Sequence, residues 1–210
     1  MILHFATMVT IENKILSNLK KCGRGTVFFP DRFARYSSSD NIRKALEILK
    51  SKEIIINVAR GIYCYPKIDK LLGLGVILPS VDDIVNAIAK RDHIKVVPTG
   101  VHAQNMLGLS TQVPMNYVFL TNGYAKNLTV LGNIKVKFKQ TSSKNISFQN
   151  KLAMLITYAL KDYGQSNVTE EQIEHIHKLL RLENKDSILR DLVLMPVWIR
   201  NIVMKAYEEE

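Results

Sequence analysis

Asn41, Arg43 and Lys44, three polar residues within four positions, carry the most sharply defined chemistry in this sequence. An arginine guanidinium can take guanine through O6 and N7 together, an asparagine amide can take adenine, and a lysine neutralises a phosphate. Ser38 and Ser39, just ahead, add hydroxyls and the open N–H groups of a helix start, which suit phosphate oxygens. Arg60 beside Gly61 places a second basic point on a turn, suited to a minor groove or a phosphate backbone. Lys67 and Lys70 offer two further charges for phosphate. Ser38, Ser39, Asn41, Arg43, Lys44, Arg60 and Lys67 are therefore the candidate contacts to double-stranded DNA.

Constellations for catalysis are thinner. The phosphate-loop pattern GxxxxGK[ST], the nucleophile pattern GxSxG and the zinc pattern HExxH do not occur. His175 and His177 sit two apart, which on a helix turns their imidazoles about 200° from one another, so they cannot share a metal. Asp82 and Asp83 could suggest a metal-dependent nuclease, but no ExK-type partner follows on a strand, and acids in a helix's first turn complement its dipole. Thr99-Gly100-Val101-His102 lies at a strand-to-helix turn that could hold an anion and is the most enzyme-like spot. Cys22 and Cys64 are far apart and form neither a metal motif nor a disulfide framework. No catalytic residue, cofactor or metal is expected, and the chain is read as a non-enzyme.

The elements that must position the basic residues follow from periodicity. Ile11, Ile15, Leu16 and Leu19 recur at helical spacing behind the cap candidate Thr10, and Cys22-Gly23-Arg24-Gly25 stops that helix. Thr26 to Phe29 reads as a short strand, and Pro30 suits the first turn of a short helix through Ala34. Ser38-Ser39-Asp40 offers three caps for a helix whose apolar stripe is Ile42, Ala45, Leu46 and Leu49, leaving Arg43, Lys44 and Glu47 outward. Ile54 to Val58 and Ile62 to Tyr65 form a hairpin about Ala59-Arg60-Gly61. This is the element order of a winged helix-turn-helix. Lys67 to Pro79, with Gly73 and Gly75, reads as a linker, placing a boundary near Leu72.

Residues 73–210 read as an α+β antitoxin or effector domain after a 1–72 DNA-binding domain. Short strands at 94–97, 117–121, 128–131 and 134–139 form a small antiparallel sheet, with Asn122-Gly123 and Gly132-Asn133 as hairpin dipeptides. A short helix spans 101–107, and residues 148–163, 169–182 and 185 onward are helical, with a break near Pro196. The stripe of Leu194, Met195, Val197, Trp198 and Ile202 is core or, alternatively, a partner surface. The fold class is thus α+β: a winged helix-turn-helix, then a compact mixed α/β domain with C-terminal helices.

The bulk properties agree. The 210 residues carry a net charge of +10. Residues 1–70 hold 13 Lys+Arg against 6 Asp+Glu, and residues 71–210 hold 16 against 13. Concentrated basic charge attracts a polyanion, nucleic acid first and an anionic membrane second. No stretch approaches a membrane span, the apolar residues 1–10 lack the marks of a leader, and the cysteine usage fits a reducing cytosol, so a cytoplasmic location without membrane attachment is expected.

Arg24-Gly25-Thr26-Val27-Phe28, Ile42-Arg43-Lys44-Ala45-Leu46 and Ala59 to Pro66 are shared with many winged helices. Pro98-Thr99-Gly100 with Ala103 to Pro114 forms a signature of the second domain, of which Leu107 to Pro114 is much the more specific, and Tyr117 to Gly123 and Pro196-Val197-Trp198 continue it. On these residues the whole chain resembles the bacterial AbiE-type (abortive infection) antitoxins, in their shorter form. The resemblance implies a type IV antitoxin that represses its own operon and counters a nucleotidyltransferase-like toxin encoded beside it, without a need for stable binding between the two. A repressor alone, or a protein-interaction module, is the alternative. The resemblance assigns no catalytic residue.

Overall fold

The structure is a computed structural model and describes residues 10–208. The apolar opening, residues 1–9, lies outside the described residues. The chain divides into two units: residues up to 88 with 130–132, and the rest.

In the first unit, α1 (Ile11–Cys22) is capped by Thr10, whose hydroxyl accepts the Asn13 N–H at 3.3 Å, and it ends where the Gly23 N–H meets the Leu19 carbonyl. Strand β1 (Thr26–Phe28) leads to the expected short helix, a 3-10 helix at Pro30–Phe33 that ends at Ala34. Helix α2 (Ser39–Ser51) follows, with Ile42, Ala45, Leu46 and Leu49 buried as the periodicity predicts. Ser38 is its N-cap, but no side-chain hydrogen bond closes the cap. Strands β2 (Ile56–Ala59) and β3 (Ile62–Tyr65) form the hairpin, and β1 pairs with β3, giving an antiparallel sheet of order β1-β3-β2. Ile15 and Leu19 of α1, the α2 stripe, Phe28, Phe33, Tyr63 and Tyr65 make one core. Phe28 meets Phe33 edge-on at 5.6 Å and stacks on Tyr63 at 5.9 Å, geometries that add to plain area burial.

Helix α2 closes in a Schellman motif: the Ile54 N–H reaches the Leu49 carbonyl at 3.0 Å and the Glu53 N–H reaches that of Lys50 at 2.9 Å. The motif needs a left-handed residue, and Glu53 supplies it at φ +56. A Cβ there costs about 1 kcal/mol, while glycine would lose part of that gain through its freer unfolded chain. Glu53→Gly is therefore expected to raise the thermal midpoint by roughly 2 °C. A lowered midpoint in calorimetry would contradict this assignment of the strain.

The stretch expected to be a linker is instead a two-stranded antiparallel hairpin of β4 (Lys67–Asp69) and β5 (Gly75–Ile77). Gly73 at φ +71 and Gly75 at φ +68 shape its turn, and the Asp69 carboxylate accepts the N–H groups of Leu71 and Leu72. Glycine marks linkers and tight turns alike, which is why the sequence reading placed the boundary early. The division between units falls after Ile88, inside α3 (Val81–Asp92), and not at residue 72.

The second unit contains β6 (Val96–Pro98), α4 (Gly100–Met106), β7 (Asn116–Thr121), β8 (Lys126–Val130) and β9 (Ile134–Gln140). Helices α5 (Lys151–Tyr163), α6 (Glu170–Arg181), α7 (Lys185–Asp191) and α8 (Val197–Lys205) complete it. The sheet is not wholly antiparallel as expected. Its order is β6-β7-β9-β8, and β7 pairs with β9 in parallel. Asn122-Gly123 makes no tight hairpin, since neither residue takes the positive φ that such a turn requires. Asn122 Oδ1 instead accepts the Lys95 N–H at 2.8 Å, and Gly123 lies where a Cβ would come within 2.7 Å of Ile94. The chain passes β9's place before returning to fill it. The positive-φ pair is Leu131-Gly132, one residue ahead of the predicted dipeptide.

Helix α5 is buried on nearly every side: seven of its thirteen residues are buried, six of them in the hydrophobic core. Such a helix is apolar all round because neighbours cover it on all faces. Met195 is buried, and Trp198 and Ile202 pack against that core, whereas Val193 and Val197 are exposed, so the C-terminal stripe divides between core and surface.

Asp92 closes α3. Its carboxylate accepts Arg91 Nε and Lys126 Nζ, each at 2.7 Å, and these bonds hold its pKa down to about 2. A depressed carboxyl contributes stability that is present above its unfolded pKa and is lost as pH falls through the folded value. Its side chain is 27% exposed, so screening leaves about 1 kcal/mol. The difference in urea midpoint between wild type and Asp92→Asn is expected in full at pH 6 and mostly lost by pH 2, where the folded carboxyl is about half protonated. A difference undiminished between pH 6 and pH 2 would place its origin elsewhere.

Candidate nucleic-acid interface

The hairpin tip in unit 1 is built by its register. Asn57 faces Tyr63, the pairing then shifts, and Ala59 faces Ile62, so Arg60 and Gly61 alone form the turn. Gly61 takes φ +71. The Asn57 amide donates to the carbonyls of Ala59 at 2.8 Å and Ile62 at 3.2 Å, tying the two sides of the tip together. Asn57 thus positions Arg60, a role that sequence reading missed. An asparagine three residues before a turn is the available signal.

A groove of about 860 Å³ runs between the 3-10 helix, α2 and this tip. Ser39, Arg43 and Glu47 line it from α2, Arg60 and Gly61 from the tip, and Asp31 from the 3-10 helix. Two arginines far apart in sequence thereby share one concave surface. Arg43 is 72% exposed and sits 3.5 Å from Asp40 on its own helix, an exposed pair that binds weakly and exchanges readily. Lys50 pairs likewise with Glu47. Lys44 is exposed with no ion pair among the described residues.

The remaining candidates are dispersed. Ser38 and Asn41 are exposed at the start of α2, outside the groove, and the Asn41 amide donates to Ser37 Oγ at 3.0 Å. Lys67 belongs to β4 and lines a separate groove with Arg24 and Asp83, its stem lying over Gly25. The structure therefore brings together Ser39, Arg43 and Arg60 and leaves Lys67 apart. A further basic cluster was not foreseen: Arg32 Nε donates to Asn18 Oδ1 at 3.0 Å and Arg35 donates to the Tyr36 oxygen at 3.1 Å. The Arg35 bond holds the Tyr36 phenol below its ordinary pKa. Asn18 of α1, which holds Arg32, lies fourteen residues away, so the tie leaves no local pattern in the sequence.

The anion-binding expectation for Thr99 to His102 meets a different occupant. The Asp162 carboxylate lies against Gly100, 3.3 Å from where a Cβ would stand, and accepts the Gln104 amide at 2.9 Å. His102 is buried, with its ring edge-on to Tyr117 and Phe119. The chain's own acid fills the place. His175 and His177 donate through Nε2 to the carbonyls of Leu107 and Ile202, on different elements. No cluster of three or more potential metal ligands occurs among the described residues, and no helix among them is long and apolar enough to cross a membrane.

Residues 14–188 match a family described as one of unknown function, DUF6088. No curated protein matches the sequence. Among solved structures, the crystal structure of the RV2827C protein from Mycobacterium tuberculosis is similar, with a TM-score of 0.50 at 12% identity, over 94% of this chain and 76% of that one. At that identity the likeness is one of fold.

Proposed function

This chain belongs to DUF6088, a family of unknown function, and we propose that it is a DNA-binding antitoxin that represses its own operon. The observation that carries the DNA-binding part is the shared groove of unit 1, where Arg43 from α2 and Arg60 from the β2–β3 tip converge. The order of helix, strand, short helix, helix and hairpin, with β1 closing the sheet beside β3, supports reading unit 1 as a winged helix-turn-helix. In that plan α2 enters the major groove, Arg43 and Lys44 meet bases or phosphates, and Arg60 reaches an adjacent backbone or minor groove.

The antitoxin part, with a nucleotidyltransferase-like toxin as functional partner, rests on the resemblance to AbiE-type antitoxins. Its most specific segment, Leu107 to Pro114, is held by structural bonds. Asn105 Nδ2 donates to the Ser110 carbonyl, Tyr163 OH to that of Leu109, and Gly108 turns at φ +72 beside His175. These bonds support reading the segment as a fold signature and not as a reaction centre, in keeping with a non-catalytic protein. The test is a gel-shift titration with the DNA just upstream of this gene against a scrambled duplex. Selective shifting that weakens steeply with salt is expected; equal binding to both duplexes would remove the repressor.

A further inference from the structure

Between Asp92 and Asp162 the chain carries eight lysines and not one aspartate, glutamate or arginine. Three of those lysines fall on β9 at alternate positions. Val136 and Phe138 between them are 1% exposed, so Lys135, Lys137 and Lys139 leave the opposite face together. Neighbouring ammonium stems on one face of a strand are roughly 7 Å apart. All three are exposed, and none makes an ion pair among the described residues, in contrast to Lys126, which holds Asp92.

The parallel register sets Asn116 beside Lys135 and Val118 beside Lys137. With Asn127 and Thr129 of β8 these residues line a shallow groove of about 450 Å³. Its rim offers ammonium, amide and hydroxyl donors, and Val118, beside Lys137, gives an apolar floor. A row of like charges without acids is matched by a ligand of regularly repeated negative charge. Neutral donors and apolar surface beside the row suit the sugars and bases that accompany such a backbone. A straight single row follows one strand, and the shallow floor does not enclose a compact anion.

We propose that the β7–β9–β8 face of unit 2 binds the phosphodiester backbone of a nucleic-acid strand. The surface is separate from the groove of unit 1 and does not depend on the reading of that groove.

The test uses the full chain and a labelled single-stranded oligothymidylate, followed by fluorescence anisotropy across salt. The triple variant Lys135→Gln, Lys137→Gln, Lys139→Gln is compared with wild type and with Lys178→Gln, Lys185→Gln, Lys205→Gln, which removes the same charge elsewhere on unit 2. Circular dichroism checks that each variant is folded. The strand variant should lower the log–log salt slope by about 2, so that between about 50 and 200 mM salt wild type loses roughly twentyfold more affinity than the variant. The control variant should keep the wild-type slope. An Arg43→Ala, Lys44→Ala chain should also keep it, even where operator binding is lost, which separates this face from the unit 1 reading. Wild type that ignores the oligonucleotide at low salt, or equal losses in the strand and control variants, overturns the proposal. Displacement of the strand by poly-L-glutamate at equal charge concentration also overturns it, and gives the face to an acidic protein.

Discussion

Replacing Arg43 and Lys44 together by alanine is expected to weaken operator binding by about 2–4 kcal/mol, roughly thirtyfold to a thousandfold, while leaving the fold intact. Both side chains are exposed on α2, and the core stripe on its other side is untouched. Among the described residues the arginine pairs with Asp40, an exposed pair worth about 0–1 kcal/mol, so little is lost when Arg43 turns to DNA. The acids sharpen the prediction. Asp40 and Glu47 flank the cations on the same helix, and a phosphate backbone is repelled by both. Asp40→Asn is accordingly expected to raise affinity for operator and scrambled DNA alike, because it removes repulsion without adding a base contact. Arg60→Ala is expected to weaken binding evenly across sequences and to lower the salt slope by about 1. If the double alanine variant shifts operator DNA at the wild-type concentration, α2 is not the reading helix.

The legible part of this fold is the part written in local periodicity. The apolar stripe of α2, the cap of α1 by Thr10 and the strand positions of β7 and β9 could be read because one segment's pattern contains them. What could not be read depends on partners distant in sequence. Asn122-Gly123 has the composition of a hairpin turn, but the Lys95 N–H and the Ile94 side chain claim those residues, and β9 takes the place beside β7. Gly73 and Gly75 carry no mark that separates a hairpin turn from a linker. At the candidate interface, Arg43 and Arg60 were identified one by one, while their common groove and the tie made by Asn57 needed the β2–β3 register. Lys67 was grouped with them on charge, yet its strand faces another groove.

Asp191→Ala is expected to be the most destabilising of these substitutions in unit 2, at about 3 kcal/mol. Asp191 is 3% exposed, and its carboxylate accepts the Gln149 N–H at 2.9 Å and the Asn150 N–H at 2.7 Å, the groups that open α5. Asn150 then caps α5 by accepting the Ala153 N–H and donates its amide to Ser187 Oγ in α7. One buried acid therefore fastens α7 to the start of the helix at the centre of the core. Alanine leaves two backbone donors without an acceptor and a small void, and a charge-assisted bond is among the costliest to lose. Asn should cost less, about 1–2 kcal/mol, because its oxygen still accepts one N–H. Urea unfolding gives the magnitude, and hydrogen exchange gives the location, with protection lost across α5 to α8 and retained in α1 and α2. An alanine variant within about 0.5 kcal/mol of wild type would show that water or Ser187 replaces the carboxylate. The same variant separates the two halves of the proposed function. Operator binding carried by unit 1 alone should survive it, whereas toxin neutralisation that depends on unit 2 should fail as that unit loosens.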